Sequence, residues 1–81
     1  MKTKVLFFAH LREIAGSDEI FLEMDEGCKG EDILDKLEEK YPEISKHRHY
    51  LMLSMNGQYL NKEAEIIDQA EIAVFPPVSG G

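Results

Sequence analysis

The residues best suited to chemistry are the last two of the chain, which ends Pro76-Pro77-Val78-Ser79-Gly80-Gly81. A main-chain carboxylate preceded by two residues without side chains can pass through a channel too narrow for any other residue type. Such a carboxylate is a poor acyl donor. A narrow channel can close around such a backbone and bring the carboxylate next to a nucleotide or an acceptor. Pro76 and Pro77 lack backbone donors and favour an extended polyproline conformation, so they end any strand before them and direct the chain off a sheet. Fully extended, the final segment reaches about 20 Å. The expectation is that Pro76, Pro77, Val78, Ser79 and Gly80 thread into another protein's active site and that Gly81 carries the reacting carboxylate.

Other candidates are weaker. Cys28 is the sole cysteine, so no internal disulfide, CxxC redox pair or zinc pair can form, and it sits in a loop with no evident base. His47, Arg48 and His49 do not share a helical face and have no third ligand, so a solvated loop is expected there and no metal site. Met52 and Met55 read as packing residues. No glycine-rich nucleotide loop is present, so no cofactor is expected to be bound by this chain.

Ordering a flexible tail costs about 1–2 kcal/mol of backbone entropy per residue, so a body must dock first and supply affinity. Hydrophobic patterning indicates what that body is. Residues 4–9 are a short run rich in strand formers with apolar residues on both faces. Residues 19–24 follow the turn at Gly16-Ser17-Asp18 as a second strand, and the connection around residues 11–14 has room for a helical turn. Ile33, Leu34, Leu37 and Tyr41 form one stripe of a helix over 31–41, stopped by Pro42 and poorly capped at its start. Residues 51–55 and 58–60 flank Asn56-Gly57, a type I′ hairpin pair. A last strand covers 71–75 and ends at Pro76-Pro77.

That order is an α+β pattern, a β-grasp with a mixed sheet of about five strands packed on one main helix. The domain spans 1–75 and the tail 76–81. In this arrangement the first and last strands lie parallel and adjacent, so Leu6 and Phe8 share an outer face with Phe75. With Tyr59 they form the expected apolar docking patch beside the tail, while Phe7 points into the core.

Composition narrows the class further. The chain has 81 residues, of which 43% are apolar, enough for one thin core. Its formal charge of −7 repels nucleic-acid phosphates and anionic membranes. The five apolar residues after Met1-Lys2-Thr3-Lys4 are too few for a signal peptide or a membrane span, so a cytoplasmic protein is expected.

Over nearly its whole length the sequence resembles the small subunits of molybdopterin synthase, within the ubiquitin-like sulfur carriers. The likeness rests on Lys4-Val5-Leu6-Phe7-Phe8-Ala9, Leu11-Arg12-Glu13, Gly16, Asn56 and, most specifically, Ile72-Ala73-Val74-Phe75-Pro76-Pro77-Val78-Ser79-Gly80-Gly81. The resemblance implies that an activating enzyme of the ubiquitin-activating type adenylates Gly81 with ATP and that a sulfur donor protein converts it to a thiocarboxylate. It also implies that the sulfur passes to cyclic pyranopterin monophosphate inside a large subunit, which carries the catalytic side chains, in a heterotetramer. Two local departures stand out. Where the family carries an Asp-Gly-Asp-Glu-like turn this chain has Asp68-Gln69-Ala70-Glu71, without the glycine for a positive φ, and Lys29-Gly30 replaces a Thr-Val type helix start.

Three rival roles share these features: a carrier for thiazole synthesis or tRNA thiolation, a ubiquitin-like protein modifier, and an adaptor that binds through its sheet alone. The Pro-Pro-Val-Ser spacer favours the molybdopterin carrier among the first group.

Overall fold

Strict alternation sets the first strand. In β1 (Lys2–Phe7) Thr3, Val5 and Phe7 are buried, whereas Lys2, Lys4 and Leu6 lie on the opposite face. The computed structural model describes residues 1–77. After β1 come a short helix α1 (Leu11–Ala15), β2 (Glu19–Glu23), the main helix α2 (Gly30–Lys40), two 3-10 turns (Pro42–Lys46 and Arg48–Tyr50), β3 (Met52–Met55), β4 (Gln58–Leu60) and β5 (Glu71–Phe75). The sheet order is β2-β1-β5-β3-β4, with β1 and β5 parallel at its centre and the other pairings antiparallel. This is the expected β-grasp, five strands on one main helix.

One face of the sheet meets α2. Val5, Phe7, Leu53, Ile72 and Val74 interlock with Ile33, Leu34 and Leu37, and none is more than 2% exposed. Full burial of an aliphatic or aromatic side chain contributes about 1.5–3 kcal/mol, so this single layer carries most of the stability available to so small a chain. Thr3 shares that layer, fully buried, with no protein partner for its hydroxyl.

Three local features differ from the sequence reading. The first strand ends at Phe7, so Phe8 leaves the sheet and Ala9 turns into the left-handed region at φ 55°. The start of α2 is satisfied after all. Asp32 accepts from the Lys29 amide at 2.8 Å, half of a capping box, and the Gly30 and Glu31 amides donate to Ala64 and Lys62 carbonyls. Gly30 is required there: a Cβ would lie 2.9 Å from Leu53 Cδ1 and 3.0 Å from Lys62 Cα.

The segment expected to be a solvated loop around His47, Arg48 and His49 is instead packed. Ile44 is fully buried, and Arg48 is paired with Glu31, Asp35 and Glu38 of α2 at 2.7–3.2 Å. Burial works against the charge of Arg48, but hydrogen bonds to Asp35 and Glu31 outweigh it and raise its pKa. In line with the sequence reading, Gln69 stands at φ 62° in the turn before β5, where the missing glycine was noted. The Asn56-Gly57 hairpin has the expected positive φ at both residues, and Asn56 Oδ1 also accepts from the Glu71 amide at 2.9 Å, tying the hairpin to β5.

Candidate docking face and tail

The outer face of the sheet has no helix across it among the described residues. Register places Leu6, Ala73, Ser54 and Tyr59 in one row across β1, β5, β3 and β4, and sets Phe75 opposite Met52 in the row nearer the chain end. Large residues at the ends of these rows and small ones in the middle leave a groove of about 430 Å³, lined by Phe8, Ala9, Ser54, Ala73, Phe75, Pro76 and Pro77. Its lining is almost wholly apolar in character. Phe8 is 41% exposed and Tyr59 68% exposed, a large apolar surface for so small a chain.

The four predicted patch residues are therefore on one face but not in one cavity. Phe8 and Phe75 line the groove. Leu6, half-buried, lines a smaller depression with Phe8 and Arg12, and Tyr59 stands one strand beyond, on the sheet edge next to Ser54. The alternation argument missed Ala9, Ser54 and Ala73. Counting back by two from Phe75 gives Ala73, so one of them was within reach of the sequence; the left-handed turn that brings Ala9 into the groove was not.

Arg12 supports the rim. Its Nε donates to the Phe7 carbonyl at 3.3 Å and lies 3.9 Å from Asp18, while the guanidinium sits 5.8 Å from the Phe8 ring centre. An ion pair on this exposed surface is worth little, so the packing on Phe8 matters more. At the other end of the same face the character changes: Lys2 and Lys4 lie 4.9 and 6.0 Å from the centre of the half-exposed Phe21 ring, and Lys4 is paired with Glu19 and Glu71.

Pro76 and Pro77, the first two tail residues, form one end of the groove. The remaining predicted tail positions, Val78, Ser79, Gly80 and Gly81, lie outside the described residues. The chain therefore leaves β5 at the apolar end of the outer face, so a partner seated in the groove would meet the tail at once.

The rival chemical centres fare poorly. Cys28 is buried, and loss of solvation followed by the nearby Asp32 charge raises its pKa, which disfavours the thiolate a nucleophile needs. Among the described residues no three of His, Cys, Asp and Glu are grouped so as to hold a metal ion, and no helix is long and apolar enough to cross a membrane.

Comparison with known proteins gives a consistent result. Residues 5–81 match the model of the ThiS family. The chain is similar to the molybdopterin synthase sulfur carrier subunit of Arabidopsis thaliana, 35% identical over 100% of this chain and 84% of that one. It is likewise similar to the protein of the same name from Dictyostelium discoideum, at 37% identity over 96% of this chain and 94% of that one. Among solved structures it is similar to SAMP1 from Haloferax volcanii, with a TM-score of 0.87 and 27% identity over the whole of both chains.

Proposed function

Because the chain belongs to the ThiS family and is over a third identical to molybdopterin synthase sulfur carrier subunits along nearly its full length, we propose that it is the sulfur carrier subunit of a molybdopterin synthase, working through the carboxylate of Gly81. The observation that supports this most directly is the apolar groove on the outer sheet face ending at Pro76-Pro77, because it joins a docking surface to the segment leading to the two glycines.

The cycle has two stages. A Gly81 carboxylate oxygen attacks the α-phosphorus of ATP in the site of an activating enzyme, releasing pyrophosphate and leaving an acyl-adenylate. Sulfide from a donor protein then attacks the acyl carbon, AMP departs with the C–O bond electrons, and a thiocarboxylate remains. In the second stage the carrier docks on the large subunit through Phe8, Phe75, Leu6 and Tyr59, and the tail delivers its sulfur to cyclic pyranopterin monophosphate. The acid and base groups for that step belong to the large subunit, and ATP is consumed only in the activating enzyme. Two copies of each subunit would form the working assembly.

The roles divide by physical property. The groove provides affinity, since apolar area removed from water contributes about 25 cal/mol per Å². Side-chain-free residues at the end allow the acyl group to enter a confined site, and the preceding prolines reduce the entropy lost on threading. A purified large subunit mixed with thiocarboxylated protein and the pterin precursor tests the reading. Formation of the dithiolene product supports it; binding without conversion assigns the sulfur to another acceptor.

A second reading has its own support, since SAMP1, with which this chain shares its fold throughout, is named in a related structure as a small archaeal modifier protein. In that role the adenylated Gly81 would be attacked by a lysine amine of a target to give an isopeptide. Higher-mass conjugates that vanish when Gly81 is deleted would favour it over the carrier role.

A further inference from the structure

A second cavity, of about 610 Å³, is lined by His10, Glu13, Ile14, Lys40, Tyr41, Pro42, Glu43 and His47. The functional reading leaves it unused. Two imidazoles meet there at a centroid separation of 4.8 Å, and their nitrogens converge on one oxygen: the Tyr50 hydroxyl is hydrogen-bonded to His47 Nδ1 and lies 3.3 Å from His10 Nε2. His10 is bonded to a residue 40 positions away and directly follows Phe8 and Ala9, two residues that line the groove.

We propose that His10 is a positioning residue for the docking face, locked through Tyr50 to His47, and that the lock releases when both imidazoles become protonated. The proposal rests on the groove being the docking surface, as argued above.

Proton counting gives the reason. A phenol has one hydrogen to donate, so it can serve only one of the two ring nitrogens, and the other ring must itself donate to the phenol oxygen. With at most one imidazole charged this chain of donors and acceptors closes. When both rings are charged neither can accept, so the phenol must turn its hydrogen away from His47, and two cations stand side by side with ring centres 4.8 Å apart. The surroundings set the same limit. Glu13 on α1 and Glu43 on the first 3-10 turn oppose Lys40 at the end of α2, leaving a net charge of −1 around the pair. Arg48, next to His47, is turned toward Glu31, Asp35 and Glu38 of α2, and the exposed His49 ring packs on Tyr50 at 5.1 Å, outside the cavity lining. One imidazolium balances the cavity; a second leaves it positive. Histidine is the side chain whose charge ordinarily changes between pH 5 and 8.

Release matters because of Ala9. A left-handed φ of 55° is unfavourable for a residue with a Cβ and persists only where neighbours hold it. Backbone bonds from Leu11 to Phe8 and from Arg12 to Ala9, each 3.2 Å, hold one side, and the His10 ring holds the other. Freed of Tyr50, the turn can relax toward a right-handed conformation and carry Phe8 away from Phe75.

The test uses the intact chain, with the amide signals of Phe8 and Ala9 and the imidazole ring signals followed by NMR from pH 7.5 to 5.0. In the wild type the amides are expected to move only once both rings carry a second proton. In Tyr50→Phe the amides should stop following either ring. His10→Gln, which can still donate to the Tyr50 oxygen but does not titrate, should hold the turn at every pH and serves should Tyr50→Phe fail to fold. Affinity for the large subunit should fall about tenfold between these pH values in the wild type and less than about twofold in His10→Gln. Amides that track pH equally in wild type and both variants would overturn the lock. A large subunit that binds at no pH would sink the functional reading instead, and the amide titration would still decide the lock.

Discussion

The two faces of the central strands are built from the same short segments and yet do opposite work. On the inner face Val5, Phe7, Ile72 and Val74 are sealed under α2 with almost no exposure. On the outer face the alternate residues Leu6, Ala73 and Phe75 remain half-open, and Phe8 and Tyr59 project into solvent. The difference teaches that β1 and β5 are apolar on both sides only toward their C-terminal ends, at Leu6, Ala73 and Phe75: the inner side stabilises the fold, and under the proposed function the outer side is the one left open for a partner. A sequence selected for stability alone would not place Phe8 and Phe75 around small residues such as Ser54 and Ala73.

Substitutions on the two faces should therefore separate stability from binding. Leu34→Ala empties a fully buried position under the sheet and is expected to cost about 2–5 kcal/mol, seen as a large fall in the denaturation midpoint. Phe8→Ala should leave that midpoint nearly unchanged and weaken binding to the large subunit by about 1–3 kcal/mol, roughly five- to 150-fold. If Phe8→Ala unfolds the chain, or if Leu34→Ala acts mainly on binding, the division between faces fails.

Two smaller effects sharpen the picture by raising stability. Thr3→Val removes a buried hydroxyl that has no protein partner and should stabilise by about 1–2 kcal/mol, measured as a higher thermal midpoint. A fall instead would mean that the hydroxyl is satisfied by an ordered water. Gln69→Gly relieves a left-handed residue in the turn before β5, offset in part by glycine's greater freedom when unfolded, and should add about 0.5–1 kcal/mol by the same measurement. Neither substitution lies in the groove, so neither should change affinity.

Much of this was legible from the residues because it depends on short-range pattern. Period-two alternation separated Phe7 from Phe8, Asn56-Gly57 fixed the hairpin, and the glycine absent at Gln69 pointed to a backbone that the structure indeed places at positive φ. The features that escaped depend on contacts distant in sequence. Arg48 packs because Glu31, Asp35 and Glu38 lie along one stripe of α2, a stripe visible in the sequence but without a named partner. His10 meets Tyr50 across 40 residues, and the α2 start is completed by carbonyls of Lys62 and Ala64. The groove itself was legible only by its large residues. Its shape depends equally on Ala9, Ser54 and Ala73, whose small size carries no signal until the register is known.

The central claim is that this chain carries sulfur on its final carboxylate, and intact-mass spectrometry after incubation with the activating enzyme, ATP and a sulfur donor tests it most directly. A gain of about 16 Da, oxygen replaced by sulfur, confined to the C-terminal peptide and absent when Gly81 is deleted, is the expected result. An unchanged mass under conditions in which a known carrier is fully converted would contradict it.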